Sequence, residues 1–306
     1  MTACFQSLIL HSMDTLSTKF REYIKQVMIL TKSASRITED NVYQEADLNI
    51  HPYLDKMAED LILPGSGIEG IENLDELYTK ALSGKSCLLL PEHYSNMDLT
   101  LLTYLVANAG GRGKEISKAI TAIAGMKLTE DNPVVSAFAS AYTRVVIYPS
   151  RSLQGLDPEK DRAEIIRSNG INRAAMKALM NIKNKGHLIL IFPSGTRYRP
   201  GDPSTKRGVR EIDSYVKSFD YMCMIAINGE VLHVQQQSML EDTVSQDVIR
   251  ITAGPVLSCA EFRDRARIDF NGSEDKKQAV ADAIMTNLEK MHNQGEDKRK
   301  QFLKKL

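Results

Sequence analysis

The apolar positions near the start of the chain repeat with a helical period. Between Leu16 and about Arg36, apolar side chains recur at spacings of three and four residues, so they share one face of a helix. These positions are Phe20, Ile24, Val27, Met28 and Leu30. The pattern predicts an amphipathic helix, and we expect residues 1–58 to form a small N-terminal helical domain.

From residue 61 onward, short apolar runs alternate with longer helical segments. The runs with strand character are Ser86–Leu90, Ile120–Ala124, Val145–Tyr148, His187–Phe192, Met222–Ile227 and Val248–Thr252. The helical segments are Leu99–Ala107, Glu159–Ile182, Lys206–Ser218 and Glu274–Met291. Strands that alternate with helices indicate an α/β fold. We therefore expect a mixed, mostly parallel sheet flanked by helices over residues 59–306.

The charge of the chain is balanced, with 39 lysine and arginine residues against 39 aspartate and glutamate residues. A balanced chain carries no overall positive field, so we expect no nucleic-acid partner. Any binding site for an anion must then be a local cluster of cations. Hydrophobic residues at 42% and charged residues at 25% are ordinary values for a globular protein and indicate a folded chain.

Neither the cysteines nor the apolar runs indicate a secreted or membrane-spanning protein. The four cysteines are scattered without a C-x-x-C pair, which is typical of free thiols in a reducing compartment. No window approaches the roughly 18 apolar residues that a membrane-spanning helix needs, so we expect a cytoplasmic protein. The basic and apolar segment 298–306 predicts a frayed tail, with peripheral contact to the inner face of a membrane as the alternative.

Two further patterns argue against a metal or a nucleotide cofactor. The histidines outside the motif described next, among them His292, show no spacing that suggests a metal site. Residues 65–70 have the spacing G-x-G-x-x-G, but they follow Pro64 and precede no βαβ unit. We therefore expect neither a metal nor a cofactor.

The first segment with candidate chemistry is 91–98, which follows a predicted strand and precedes a predicted helix. On a continuous helix, His93 and Asp98 would point about 140° apart, so they can meet only across a turn. In a turn, the carboxylate of Asp98 reaches back and holds the imidazole of His93 in one tautomer. Such an imidazole is suited to take the proton of an alcohol that attacks a thioester. Ser95 and Asp98 also have the spacing of a capping box, so the alternative is that Asp98 only caps the helix.

The second segment is 192–200, directly after the predicted strand His187–Phe192. Arg197 and Arg199 alternate there with small and turn-forming residues, beyond the end of a strand, where α/β sheets bind ligands. Guanidinium groups bind phosphate in a bidentate manner, Gly195 allows a close approach of the backbone, and hydroxyl groups add hydrogen bonds. The supporting residues are Ser194, Gly195 and Thr196. The alternative is a solvated surface loop.

Cations also follow two other predicted strands. Lys127 comes shortly after Ile120–Ala124, and Arg151 shortly after Val145–Tyr148. The ends of parallel strands meet at one edge of a sheet, so we expect these cations to converge with Arg197 and Arg199 on a small phosphorylated substrate.

Four segments, in their order along the chain, resemble the blocks of the glycerolipid acyltransferase superfamily. They are the His-x4-Asp pattern of His93 and Asp98, the strand that ends near Arg151, the run Phe192–Arg197 and the strand Met222–Ile227. The resemblance covers about residues 64–255. It implies an α/β acyltransferase fold in which His93 and Asp98 act together and the arginines hold glycerol phosphate.

Within that superfamily, the chain is similar to the soluble plastid-type glycerol-3-phosphate acyltransferases. Lysophosphatidate acyltransferases usually carry glutamate in Pro-Glu-Gly-Thr-Arg, where this chain has Ser194. In the plastid-type family, the counterparts of Arg197 and Arg199 bind the substrate phosphate, helped by basic residues in the block that matches Tyr148–Arg151. This chain offers only Arg151 in that block, where plant-type sequences have consecutive basic residues.

The resemblance implies transfer of a fatty acyl group from acyl carrier protein or acyl-CoA to the sn-1 hydroxyl of glycerol 3-phosphate. One alternative is acylation of lysophosphatidate, against which the missing glutamate and the absence of a predicted membrane span argue. Another is a non-catalytic phospholipid-binding module that keeps the arginines and makes no use of His93.

Overall fold

A mixed sheet lies at the centre of the computed structural model, which describes residues 14–31, 36–126, 130, 132–153, 155–235, 241–269 and 275–304. In that part of the chain, the sheet has nine strands, of which eight follow the order β1-β5-β4-β6-β3-β7-β10-β2 while β11 pairs with β7. These strands are β1 (Tyr43–Gln44), β2 (Gly67–Glu69), β3 (Cys87–Pro91), β4 (Ile120–Gly125), β5 (Arg144–Ile147), β6 (Leu188–Leu190), β7 (Tyr221–Asn228), β10 (Arg250–Ala253) and β11 (Leu257–Ser258). A separate pair consists of β8 (Leu232–His233) and β9 (Thr243–Val244).

The five central strands, from β5 to β7, are parallel to one another. Antiparallel pairs lie toward the two sides, where β1 joins β5 and β10 joins β7. Every residue of the central strand β3 is buried, because helices cover both faces of the sheet. The sheet is therefore mixed and mostly parallel, as the alternating pattern predicts.

Helices cover the sheet on both faces and build one apolar core on each side. They are α1 (Leu16–Lys19), α2 (Arg21–Leu30), α3 (His51–Leu61), α4 (Ile71–Leu82), α5 (Asp98–Ala107), α6 (Gly113–Ala119), α7 (Pro133–Ala139), α8 (Arg162–Ile182), α9 (Ile212–Ser218), α10 (Cys259–Asp269) and α11 (Lys276–Leu303). Alternate residues of β3 enter different cores: Cys87 and Leu89 pack with α3 to α6, whereas Leu88 and Leu90 pack with α8 to α11. None of the described helices is long and apolar enough to cross a bilayer.

The six strands predicted from apolar runs are confirmed to within a few residues, whereas the helix predicted from Lys206 begins only at Ile212. A 3₁₀ turn, Pro203–Lys206, occupies part of the preceding segment, and the Asp202 side chain caps it by accepting from Ser204 N. Gly208 then lies so close to α11 that an added Cβ would be 3.1 Å from the carbonyl oxygen of Ala281. This close approach leaves little room for a side chain at position 208.

The last helix is longer than predicted, because α11 continues past Met291 to Leu303. The Lys298 ammonium lies 2.7 Å from Glu69, Arg299 pairs with Asp247, and the ring of Phe302 covers Gly65. The predicted frayed tail is therefore wrong for residues 298–303, which are docked on strand β2 and its neighbours.

The N-terminal helices share a core with the rest of the chain. Val27 of α2 and Leu54 of α3 belong to the same apolar cluster as Leu101 of α5 and Ala137 of α7. Strand β1, within the first 58 residues, is paired with β5 of the large sheet. The division of the chain at residue 58 stays a prediction.

Candidate active site

His93 lies in the turn that joins the end of β3 to the start of α5, at the edge where the parallel strands end. Its Nδ1 is 2.9 Å from Oδ2 of Asp98, the first residue of α5. The turn thus brings together the two side chains that could not meet on a continuous helix. Asp98 is only 2% exposed.

The carboxylate of Asp98 organises the whole turn. Its Oδ2 accepts hydrogen bonds from the backbone N–H groups of Tyr94, at 2.6 Å, and Ser95, at 2.9 Å. Its Oδ1 accepts from the hydroxyl of Ser95 at 2.8 Å. An ionised carboxylate only accepts hydrogen bonds, so Nδ1 of His93 carries the proton and Nε2 keeps a lone pair. Asp98 therefore both stabilises the turn and selects the tautomer that can act as a base.

A stacked aromatic ring fixes the plane of the His93 imidazole. The ring of Phe192, which follows β6, lies 3.8 Å from it between centroids with an interplanar angle of 17°. The hydrogen bond to Asp98 and this stacking contact together restrict rotation of the imidazole ring. In the described part of the chain, Nε2 of His93 has no hydrogen-bond partner.

Three cavities meet at His93. The polar cavity lies between the turn after β3 and α11 and includes Lys206, Arg207 and His292 in its wall. The α5/α7 cavity is mostly apolar, with Leu99, Val135 and Phe138 in its wall, and the buried Arg144 also lines it. The α8/α9 cavity, on the other face of the sheet, is apolar inside and has Arg151 in its wall. One imidazole thus faces both a polar compartment and two apolar ones.

The structure does not bring the two arginines of the loop after β6 into these three cavities. Nη1 of Arg197 lies 3.1 Å from Oδ2 of Asp242, a residue without solvent exposure. Burial raises the pKa of Asp242, and the nearby Arg197 guanidinium offsets part of that effect. Arg199 is exposed at the surface of the loop.

The smaller residues of that loop shape its backbone. Gly195 has a φ of 64°, a left-handed conformation that favours glycine, and it lines the α8/α9 cavity. The hydroxyl of Ser194 donates to the carbonyl of Thr196 at 2.7 Å, so Ser194 holds the turn in addition to lining the polar cavity. Nη2 of Arg151 donates to the carbonyl of Ser194 at 3.3 Å, which joins the segments after β5 and β6. Lys127 lies outside the described residues.

A second imidazole and carboxylate pair borders the polar cavity. Nδ1 of His292, on α11, is 2.9 Å from Oε2 of Glu92, the residue before His93. Glu92 is buried and also accepts from the hydroxyl of Tyr94 and from the backbone N–H of Ile227. In the sequence, His292 is only a histidine without metal spacing, because a separation of 200 residues from Glu92 hides their proximity.

Side chains of the types that bind metals were compared across the described residues. Among residues 14–304 with their undescribed gaps, no group of three or more histidine, cysteine, aspartate or glutamate side chains is placed to hold a metal ion. The described cysteines, Cys87, Cys223 and Cys259, are buried as free thiols.

Comparisons with known proteins give a family match and similarity to a solved structure. Residues 67–214, which include His93 and the loop after β6, match the family described as Acyltransferase. No curated protein gives a significant match. Among solved structures, the chain is similar to the 1-acyl-sn-glycerophosphate (LPA) acyltransferase PlsC from Thermotoga maritima, with a TM-score of 0.43 and 16% identity over 89% of this chain and 88% of that chain. The family match supports an acyltransferase and leaves its acceptor open.

Proposed function

We propose that this chain is a glycerol-3-phosphate acyltransferase that uses His93 as general base. It transfers a fatty acyl group from an acyl thioester to the sn-1 hydroxyl of glycerol 3-phosphate and releases lysophosphatidate. The observation that carries the proposal is that one imidazole, held by a carboxylate, lines both a polar cavity and apolar cavities. A polar acceptor and an apolar acyl chain can therefore meet at Nε2 of His93.

The reaction needs two proton transfers through His93 and one exchange at the acyl carbon. Nε2 of His93 takes the proton of the acceptor hydroxyl while the hydroxyl oxygen attacks the thioester carbonyl. The new C–O bond forms, the C–S bond breaks, and the imidazolium returns its proton to the departing thiolate. The carboxylate of Asp98 stabilises the imidazolium between these two steps. The reaction requires no covalent acyl-enzyme.

Cations at the ends of the strands are proposed to hold the acceptor phosphate. The residues are Arg151, Arg197, Arg199 and Lys127, with Ser194, Gly195 and Thr196 as supporting loop residues. Arg151 shares the α8/α9 cavity with His93, which supports its inclusion. Arg197 would have to exchange Asp242 for the phosphate, or hold the loop through that ion pair.

The α5/α7 cavity is proposed to hold the acyl chain of the donor. Its walls are formed mainly by apolar residues of α5, α7 and β4, and His93 borders it. Burial of an acyl chain there removes apolar surface from water, which favours binding of the donor. The donor is the acyl thioester of acyl carrier protein or of coenzyme A. The protein acts in the cytoplasm or at the inner surface of a membrane.

A second candidate acceptor is lysophosphatidate. The observation that favours it is the α8/α9 cavity, a second apolar compartment that borders His93 from the opposite face of the sheet. Two apolar cavities at one base would accommodate two acyl chains, one from the donor and one from the acceptor. A reaction with glycerol 3-phosphate needs only one of them.

An acceptor assay tests these functions. The purified protein is incubated with a labelled acyl thioester, either acyl-CoA or acylated acyl carrier protein. The acceptor is either glycerol 3-phosphate or lysophosphatidate. Product from glycerol 3-phosphate is expected, and preferential product from lysophosphatidate would establish the second candidate. Replacement of His93 by Ala is expected to abolish turnover without unfolding the protein. A fully active His93→Ala variant would remove His93 from the mechanism, and absence of product with both acceptors would favour a non-catalytic lipid-binding module.

A further inference from the structure

One arginine of the central sheet is buried without an acidic partner. Arg144 is the first residue of β5 and is only 2% exposed. In the part of the chain that the structure describes, no carboxylate pairs with it, and its hydrogen bonds go to backbone carbonyls. Burial lowers its pKa to about 10, so the guanidinium stays protonated near neutral pH. A buried cation without a carboxylate loses its hydration and gains no ion pair in return, which is costly.

The backbone carbonyls satisfy only part of this guanidinium. Nη1 donates to the carbonyl of Ala139, the last residue of α7, at 2.7 Å and to that of Tyr142 at 3.3 Å. These two bonds fix the side chain at the end of α7. Nε is buried without a hydrogen-bond partner, and Nη2 donates to none of the described residues. Two nitrogens of a positioned guanidinium are therefore left for another acceptor.

Arg144 lines the α5/α7 cavity, where hydroxyl groups nearby are already paired. The hydroxyl of Tyr142 donates to Oγ1 of Thr100 at 2.9 Å, and the hydroxyl of Ser95 donates to Asp98 at 2.8 Å. Tyr142, Thr100 and Ser95 line the same cavity, and the rest of its wall is mostly apolar. The guanidinium is thus a strong donor with unused N–H groups in a cavity that otherwise suits a hydrocarbon chain.

The pairing of the strands places Arg144 well away from His93. Pairing through β6 and β4 puts Arg144 level with Leu89 of β3. His93 comes four residues after Leu89, about 13 Å farther along the strand direction, and three strand spacings of about 4.8 Å separate β3 from β5. Ala122 and Ala124 of β4 line the cavity between them, and their small side chains leave room above the sheet. An acyl chain whose carbonyl carbon lies at His93 can therefore extend over β4 toward Arg144.

We infer that the α5/α7 cavity selects an acyl chain with an oxygen at its distal end, as a hydroxyl or a carboxylate, and that Arg144 binds this oxygen. The inference rests on the proposed function, which places the acyl chain of the donor in this cavity. Both kinds of oxygen accept hydrogen bonds from a guanidinium, and a carboxylate adds a charge pair with bidentate geometry. A methyl end would leave Nε and Nη2 unpaired and also exclude water from them.

A role confined to the fold accounts for only one nitrogen of Arg144. Anchoring the end of α7 uses Nη1 alone. A site built to hydrogen-bond a substrate oxygen discriminates strongly against an analogue that lacks it, because the buried donors are then left without partners. Arg144 is therefore a specificity-determining residue for the donor, at the far end of the cavity from the base.

Competition between donors tests the inference with the intact protein. Acyl-CoA donors of equal chain length end in a methyl, a hydroxyl or a carboxylate group and react with one acceptor. We expect kcat/KM to be at least about tenfold higher for an oxygen-bearing donor than for the methyl-ended one, once the chain is long enough to reach Arg144. Shorter donors are expected to lose this advantage, because their ends lie among apolar side chains. Equal or higher kcat/KM for the methyl-ended donor at every chain length would overturn the inference.

Substitution of Arg144 tests which residue reads the distal end. Arg144→Met keeps a long side chain without charge or donors, so we expect it to reverse the preference in favour of the methyl-ended donor. Arg144→Lys keeps the charge and is expected to restore part of the preference for the carboxylate. The matched control Arg173→Met, at an exposed position of α8, is expected to behave as the intact protein.

The ratio of kcat/KM for two donors in one sample does not depend on the folded fraction. A loss of stability from the bonds to α7 therefore leaves this comparison valid. An unchanged ratio in the Arg144→Met variant would overturn the inference. If that variant does not fold, the Arg144→Lys variant and the donor series with the intact protein decide.

Binding without turnover separates this inference from the proposed function. Thioether analogues of acyl-CoA, with a methyl or a carboxylate end, cannot transfer their chain, and calorimetry measures their Kd without any acceptor. Tighter binding of the carboxylate-ended analogue, lost in Arg144→Met, would support the inference even if neither glycerol 3-phosphate nor lysophosphatidate is acylated. Acylation of glycerol 3-phosphate with a preference for methyl-ended donors would uphold the proposed function and overturn the inference.

Discussion

At the scale of single residues, the orientation of His93 depends on groups of different chemical kinds. Asp98 binds one ring nitrogen, Phe192 covers one ring face, and the backbone of the turn is itself fixed by Asp98. The same carboxylate therefore sets both the position of the turn and the tautomer of the base. A change at Asp98 is expected to affect catalysis more than substrate binding.

Replacement of Asp98 by Asn tests this expectation. The amide has nearly the same size, but it cannot accept all four hydrogen bonds and carries no charge to stabilise the imidazolium. We expect kcat to fall by roughly 10²–10⁴-fold with little change in either KM. Steady-state kinetics measure the change, and circular dichroism checks that the variant remains folded. Unchanged kcat would show that Asp98 acts only as a capping residue.

The sequence was sufficient to predict the contact between His93 and Asp98, because a turn between a strand and a helix leaves few other arrangements for that spacing. It was not sufficient for Arg197, whose partner Asp242 is 45 positions later and buried by tertiary packing. Nor did it mark His292, since the pairing with Glu92 depends on where α11 crosses the sheet. Local geometry can be predicted from spacing, whereas partners that meet through packing require the fold.

At the scale of elements, helices α5 and α7 define the apolar cavity proposed for the donor acyl chain. Val135, on α7, lines it, and the N-terminus of α7 is fixed by the side chain of Asn132, which accepts from two backbone N–H groups. The cavity is thus bounded by a helix whose N-terminus is capped. Its depth is expected to limit the length of the chain that it accepts.

The variant Val135→Phe narrows this cavity. We expect kcat/KM to fall by about tenfold or more for long-chain donors and much less for short-chain donors, because the ring occupies the space of the distal methylenes. Competition between donors of different length provides the measurement. The control Met176→Phe changes the α8/α9 cavity instead and is expected to leave the preference for donor length unaltered. A length preference that shifts only in the control would place the donor chain in the α8/α9 cavity.

Helix α11 contains a glycine that its contact with β7 requires. A Cβ at Gly295 would lie 2.1 Å from Oδ1 of Asn228, whose amide donates to the carbonyl of His292 at 2.9 Å. An alanine in a helix normally stabilises by about 1 kcal/mol relative to glycine. We expect Gly295→Ala instead to lower the free energy of unfolding by about 1–3 kcal/mol, as overpacking does.

Urea denaturation of the Gly295→Ala variant measures this effect. The matched control is Gly170→Ala in α8, where the atoms nearest to an added Cβ belong to the flexible side chain of Glu39. That side chain can move away, so the control is expected to lose much less stability or to gain some. Equal effects of the two substitutions would contradict a specific close contact between α11 and β7.

Helices and strands with long sequence patterns were predicted more readily than elements of two or three residues. Fully buried strands such as β3 and β7 leave continuous apolar runs in the sequence, and both were predicted. The edge strands β1 and β2, with two and three residues, are too short to carry a period and were missed. The irregular segment before α9 was missed, and its packing of Gly208 against α11 is a tertiary contact that residue spacing does not mark.

At the scale of the whole molecule, the pair of Glu92 and His292 links the turn at the base to the sheet and to α11. Glu92 accepts from the backbone of Ile227 in β7 as well as from His292. The charge state of one imidazole therefore affects the contact between three separate parts of the chain. A dependence of global stability on pH follows from this link.

The pKa of His292 is raised in the folded protein above the ordinary value of 6.5. The resulting stabilisation is fully present below the unfolded pKa and is lost as the pH rises through the folded pKa. We expect the free energy of unfolding to decrease between about pH 6 and about pH 9, and His292→Asn to reduce this decrease. Urea denaturation at both pH values provides the comparison. An identical decrease in the variant would show that His292 is not its source.

Helix α11 joins positions that are very far apart along the chain: His292 and Glu92 are separated by 200 residues, and Lys298 and Glu69 by 229. Closing loops of this size costs chain entropy before any contact compensates for it, so such contacts form late in folding. The central parallel strands are non-local as well, since β3 pairs Cys87 with Tyr221 of β7. Refolding after dilution from denaturant is therefore expected to be slow for the sheet and for α11 alike.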